Sequence, residues 1–219
     1  MKDTAKRPMV LYGTSGQALF VYDEVMRSGS GYEVVAFMDL DSEDGFEQYT
    51  QLPLISLETW KRDYADSSYM LLCPGTPSIR RKVAKEFCAL GARFARHFDG
   101  DRTDAPWKAV DIGEGSYLGL NTLVGNCVKI GDHTQLMTNI NVGHDVTIGD
   151  YVTIAPGAIV SGYVEIEDDV FIGAGAIISN GTPEKPIVIG QGAMLTAGTV
   201  AIRSVPPQTR IIGVPGRPL

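Results

Sequence analysis

His144 and Asp145 stand side by side in the stretch Asn141-Val142-Gly143-His144-Asp145. An imidazole titrates near neutrality and accepts a proton from an incoming nucleophile, so His144 is a candidate general base. Asp145 is placed to orient that ring or to support the imidazolium. A second group is Gly13-Thr14-Ser15-Gly16-Gln17-Ala18, directly after the apolar run Met9–Tyr12. Backbone N–H groups in such a loop, and at the start of a following helix, cradle a phosphate. Gly13, Ser15, Gly16 and Gln17 are the candidates, and Asp39, after a second apolar run, is placed to accept from a ribose or a base. The competing reading is a tight strand-to-helix turn with no ligand. A third group is cationic. Lys129, Lys185, Arg203, Arg210 and Arg217 are the basic residues of the stretch 111–219, and all but Lys129 fall near its end. They either meet the phosphates of a ligand such as coenzyme A or form a solvated cap.

The elements that hold these groups differ between the two halves of the chain. From Ile112 an aliphatic residue returns at every sixth position: Leu118, Val124, Ile130, Leu136, Val142, Ile148, Ile154, Val160, Ile166, Ile172 and Ile178. A helix repeats near 3.6 and a strand at 2, so this period marks a parallel β-helix of hexapeptides. Glycine often follows the aliphatic, as at Gly113, Gly125, Gly131, Gly143 and Gly149, and is expected there because turns need a positive φ. Three hexapeptides make a coil of about 18 residues, so Gly162 lies over His144 one coil on. Its N–H is a candidate oxyanion donor, with a plain turn glycine as the alternative. His133 and His144 are not a coil apart, so a zinc site is not expected. The phase breaks after Ile178, and Ser179–Pro186 is predicted to be a loop thrown out of the coil. Ile189, Leu195 and Ala201 resume the pattern.

Residues 1–98 alternate instead: strands at Met9–Tyr12, Val34–Met38 and Tyr69–Cys73, helices at about 17–27 and 78–90, and a last strand within Ala92–Phe98. That order predicts a small parallel α/β sheet, a Rossmann-like half domain. Residues 99–109 read as a linker, and 110–219 as the β-helix domain.

The 219 residues carry a net charge of -7, which argues against a nucleic-acid surface. No apolar run is long enough to cross a bilayer and the N-terminus lacks a signal-peptide pattern, so no membrane partner is expected. Three cysteines fit neither a disulfide framework nor a zinc pattern, and a cytoplasmic location is expected.

The hexapeptide steps, the His144-Asp145 pair followed by Ile148-Gly149-Asp150, and Gly213-Val214-Pro215-Gly216-Arg217 resemble the bacterial left-handed β-helix acyltransferases. With Gly13-Thr14-Ser15-Gly16, the resemblance narrows to the sugar-nucleotide branch, which includes sialic acid O-acetyltransferase-like proteins and bacillosamine and perosamine N-acetyltransferases. It implies left-handed coils, a homotrimer with sites between subunits, acetyl-CoA as co-substrate and no metal. His144 would be the base, Asp145 its partner and Gly162 the amide near the thioester carbonyl. The α/β unit would hold a nucleotide-linked 4-amino-4,6-dideoxyhexose destined for surface polysaccharide. A sugar hydroxyl as acceptor, or a non-catalytic nucleotide-sugar-binding protein, are the alternatives. The chain departs from relatives at Gln17, where many carry histidine, and at Met137, where the bacillosamine enzymes carry asparagine.

Overall fold

The computed structural model describes residues 6–40, 50–98 and 110–218. The first unit is a parallel sheet in the order β3-β2-β1-β4. Its strands are β1 (Arg7–Tyr12), β2 (Tyr32–Met38), β3 (Leu54–Ile55) and β4 (Tyr69–Leu72). Their side chains alternate between two layers. Met9, Leu11, Val34 and Leu71 pack with Ala18, Val21 and Val25 of α1 (Gly16–Arg27). Val10, Tyr12, Met70 and Leu72 pack with Trp60 of α2 (Leu57–Asp63) and with Val83, Ala84 and Phe87 of α3 (Pro77–Ala89). β3 and α2 lie in a stretch to which the sequence pattern assigns no element.

The remainder is a three-faced parallel β-helix. Face I stacks β5 (His97–Phe98), β7 (Tyr117–Leu118), β10 (Gln135–Leu136), β13 (Thr153–Ile154), β16 (Phe171–Ile172), β19 (Met194–Leu195), β21 (Arg210–Ile212) and β22 (Arg217–Pro218). Face II stacks β8 (Leu123–Val124), β11 (Asn141–Val142), β14 (Ile159–Val160), β17 (Ile177–Ile178) and β20 (Val200–Ala201). Face III stacks β6 (Val110–Ile112), β9 (Val128–Ile130), β12 (Thr147–Ile148), β15 (Val164–Ile166) and β18 (Ile187–Ile189). The six-residue ladder and its continuation at Ile189, Leu195 and Ala201 end strands β6 to β20 and fill a single core, joined by Val128, Ile140, Val146, Val152, Val164 and Val170. The chain runs III to I to II to III. Ile166 pairs with Ile189 and Ile178 with Ala201, a register five residues longer than one coil, and that excess is the expected loop after Ile178.

Two expectations are corrected. The segment Ala92–Phe98 does not complete the α/β sheet. Phe94 makes one bridge to Met70, and β5 then pairs with β7 as the first rung of face I. The glycines after the ladder residues are not there for a positive φ. The left-handed residue comes two places later, at Asn121, Cys127, His133, Asn139, Asp145, Tyr151, Tyr163 and Asp169. The glycines are needed for close approach. A Cβ at Gly125 would stand 2.6 Å from the Gly143 carbonyl oxygen, and one at Gly143 would stand 2.7 Å from Gly162 N. The linker at 99–109 lies outside the described residues.

The α/β unit docks on face I and on the edge between faces III and I. Arg80 of α3 is fully buried there. It donates from Nε to the His133 carbonyl (2.7 Å), from Nη1 to Pro74 O (2.7 Å) and from Nη2 to Tyr151 O, Val152 O and Thr153 Oγ1 (2.8–2.9 Å). Burial pulls its pKa down to about 9, so the guanidinium stays charged at neutral pH. On the other side of the sheet Tyr117 of β7 donates to the buried carboxylate of Glu24, which also accepts from Leu120 N–H at 3.0 Å.

Candidate active site

The edge between faces II and III carries the His-Asp pair. Val142 and Val146 are both buried and anchor the turn from inside, which pushes His144 and Asp145 outward. Asp145 adopts a φ of 54°, a conformation that aspartate tolerates better than most side chains. Its Oδ2 lies 2.7 Å from His144 Nδ1, and the side chains are 59% and 44% exposed. A carboxylate accepts, so Nδ1–H donates and Nε2 is left as the basic nitrogen. Among the described residues no protein group bonds Nε2. A Cβ at Gly162 would stand 3.0 Å from both Cε1 and Nε2 of His144, so that edge of the imidazole lies over the glycine. Gly162 O accepts from Gly181 N–H at 3.0 Å, while Gly162 N–H has no acceptor among the described residues.

Further along this edge the coils bring up two of the cations. Lys185 sits in the loop after β17, closed by the bridge between Thr182 and Lys185. Arg203 follows Ala201 as His144 follows Val142, so it stands on the same edge. Arg210 and Arg217 lie instead on the terminal strands of face I. All four are exposed, and none makes an ion pair among the described residues.

The phosphate-cradle candidates form a separate group. Gly13 has a φ of 123°, and a Cβ there would touch Cys73 Cβ at 3.4 Å. Ser15 caps α1 with no side-chain hydrogen bond. Both Gly16 and Ser15 are exposed, and Gln17 Nε2 is buried without a protein partner. Thr14, a residue with no assigned role in the sequence pattern, donates to Asp39 Oδ2 at 2.8 Å and so ties the two loops together. A cavity of about 410 Å³ adjoins Asp39, lined by Leu54, Ser56, Leu57 and Glu58 among others. The loop after β4 rests on the edge between faces I and II: a Cβ at Gly75 would stand 3.6 Å from Met137 Cε. Gly75 O also accepts from Thr153 Oγ1 at 2.7 Å. The cradle and His144 thus belong to different edges of one β-helix, separated by face II.

The remaining histidines are structural. His97 stacks on Tyr117 at 5.7 Å with neither ring nitrogen paired, and burial lowers its pKa to about 4. His133 lies between Phe94 (4.5 Å) and Tyr151 (5.2 Å), and burial lowers its pKa to about 4 as well, against the nearby Asp132. Among the described residues no three His, Cys, Asp or Glu side chains gather as a metal site, and no helix is long and apolar enough to cross a membrane.

The model of the bacterial transferase hexapeptide family (six repeats) matches residues 127–162, the span that holds His144 and Gly162. The structure of WeeI from Acinetobacter baumannii AYE is similar over 98% of this chain and 100% of its own, with 30% identity and a TM-score of 0.82. The chain belongs to the bacterial sugar-nucleotide acetyltransferases. This acetyltransferase shares its left-handed β-helix fold with the acetyltransferase domain of PglB from Neisseria gonorrhoeae FA1090 (24% identity, 98% and 100% covered, TM-score 0.82). It shares it also with PerB from Caulobacter crescentus in complex with CoA and GDP-perosamine (21% identity, 97% and 97% covered, TM-score 0.81). No curated protein sequence matches significantly.

Proposed function

We propose that the protein transfers the acetyl group of acetyl-CoA to the amine of a nucleotide-linked sugar of the 4-amino-4,6-dideoxyhexose type. The observation that carries this reading is the exposed His144-Asp145 pair, with its basic nitrogen over Gly162 and Lys185 and Arg203 further along the same edge. The amine lone pair attacks the thioester carbonyl carbon while His144 Nε2 takes the amine proton. Gly162 N–H, without an acceptor among the described residues, donates to the oxyanion. The C–S bond breaks, and the imidazolium returns its proton to the leaving thiolate. Asp145 holds the ring and supports its charge. Gly13, Ser15, Gly16, Gln17 and Asp39 hold the nucleotide, with residues 1–98 as its domain and 110–219 as the acyltransferase domain. The solved complex of PerB with CoA and GDP-perosamine supports this choice of substrates. Three unpaired thiols and the use of acetyl-CoA support a cytoplasmic location.

One chain keeps cradle and base on different edges, so the site is completed by a neighbour in a homotrimer. The outward side chains of face II support this: Leu123 (57% exposed), Ile159 (42%), Ile177 and Val200 form an apolar strip interrupted by Asn141 between Leu123 and Ile159. Face III presents Lys129, Thr147 and Glu165 at the equivalent places. An unpaired apolar strip of this kind marks an interface. Ile159→Lys is expected to shift the mass measured by light scattering from three chains to one, and activity is expected to fall with it. The reaction is tested by CoA thiol release with UDP- and GDP-linked 4-amino-4,6-dideoxy sugars, each beside its 4-hydroxy counterpart. Release with an amine supports the proposal. Release with the hydroxy sugars or sialic acid alone replaces it with O-acetylation, and silence with all acceptors overturns it.

A further inference from the structure

At most corners of the β-helix one residue lies in the left-handed region. Glycine, asparagine and aspartate hold most of these places, as at Gly115, Asn121, Asn139, Asp145, Gly157, Asp169 and Gly175. Those types tolerate a positive φ, whereas a bulky tyrosine is strained there. Tyrosine nevertheless stands at two of them, Tyr151 (φ 58°) and Tyr163 (φ 55°). Tyr151 is accounted for by the docked α/β unit. It stacks on His133, its ring lies under the Arg81 guanidinium at 4.1 Å, and its carbonyl accepts from Arg80. Tyr163 is on the far edge and takes no part in that docking. Its backbone accepts from Ile187 N–H and donates to His144 O at 3.2 Å, bonds that any residue would make. Among the described residues its ring has one aromatic neighbour, the imidazole of His144, at 5.1 Å and 89°. A strained residue kept beside a reactive group points from conformation to function.

We infer that Tyr163 is a positioning residue for His144, an inference that rests on the reading of His144 as the base. More than half of the His144 side chain is open to solvent, and Asp145 holds it by one atom only. That single bond leaves the ring free to swing about Nδ1. The perpendicular Tyr163 ring packs against it, and the missing side chain at Gly162 leaves room for the Cε1–Nε2 edge. Together they keep Nε2 aimed over Gly162, where proton transfer needs it within hydrogen-bond reach. The contact is edge-to-face packing, so the aromatic ring is what acts and the hydroxyl is dispensable.

The test uses two variants. Tyr163→Phe keeps the ring, and kcat is expected within about twofold of the parent. Tyr163→Asn removes the ring and inserts the residue that Asn121 and Asn139 supply at equivalent corners. It is expected to fold and to melt at the same or a higher temperature. Its kcat is expected to fall about tenfold or more, while KM for acetyl-CoA stays within about twofold. The chain has three histidines, so ring-nitrogen resonances are assignable with His144→Gln. In the parent the His144 pair is expected as a sharp Nδ1–H tautomer, and in Tyr163→Asn as a broadened or mixed one. Unchanged kcat with a sharp signal in Tyr163→Asn overturns the inference. So does an equal loss in Tyr163→Phe, which would move the role to the hydroxyl. The spectra require no acceptor, so a parent enzyme silent with all sugars would refute the proposed reaction while the tautomer signal still decides the role of Tyr163.

Discussion

Two edges of the β-helix hold a histidine, and they use it in opposite ways. His133 and His144 each lie over a glycine of an adjacent coil, Gly115 and Gly162. On the edge between faces III and I, the α/β unit closes over the ring. His133 is 5% exposed, packed between Phe94 and Tyr151, and its carbonyl serves the buried Arg80. On the edge between faces II and III the ring meets only the edge-to-face Tyr163 among the described aromatic residues, stays 59% exposed, and has a carboxylate on Nδ1. The scaffold supplies the same corner to both. What covers the corner decides whether the imidazole is a packing group or an exposed ring open to a ligand.

The contrast predicts that the two edges fail differently. His144→Asn is expected to lower kcat by about 10²–10⁴-fold, the usual range for losing a general base, with thermal stability unchanged. A variant with parent activity would remove His144 from the mechanism. Arg80→Ala strikes the covered edge instead. It leaves the carbonyls of His133, Pro74 and Tyr151 without their donor and is expected to cost about 3–5 kcal/mol in urea unfolding. Any protein that still folds should keep its kcat. A loss under 1 kcal/mol would show that the docking of α3 does not depend on this guanidinium. Acid gives the smallest effect. The unfolded chain protonates His133 near 6.5, whereas the buried ring resists until about 4. The unfolded state therefore binds more protons between those values. Stability is complete above about 6.5 and falls as pH drops toward 4, by about 2 kcal/mol at pH 5 for this ring. His133→Phe should flatten part of that slope, and His144→Asn provides the exposed-edge comparison.

The ladder was legible because each inward position is filled by an aliphatic whose period matches neither helix nor strand, and the break after Ile178 showed as a change of phase. His144 was legible for the complementary reason, as a residue that packing does not require. Other features depend on what lies one coil or one unit away. The purpose of Gly125 and Gly143 appears only when the next coil is set 2.6–2.7 Å from an absent Cβ. β5 forms a local strand, but nothing local says that its partner is β7 rather than β4. β3 and α2 are too short to show a period, and α2 is recognised by its Ser56 cap, which accepts from Thr59 N–H at 3.2 Å. Arg80 reads as one more basic residue on an amphipathic helix until its five acceptors are seen together. Thr14 gains its role only when β1 and β2 bring its hydroxyl to Asp39.

The stacking also makes the edge a ruler. Each coil advances about 4.8 Å along the axis, the spacing of hydrogen-bonded strands. From His144 through Gly162 and Asn180 to Arg203 is three coils, or about 14 Å. In the proposed reaction, the distance between the reacting carbonyl and a distant anionic group of the acyl donor would thereby be written into coil number, independent of any side-chain length. Insertions thrown outward, like that after Ile178, change what leans over the edge without changing this measure. Deleting one whole coil would shorten it by one fixed step.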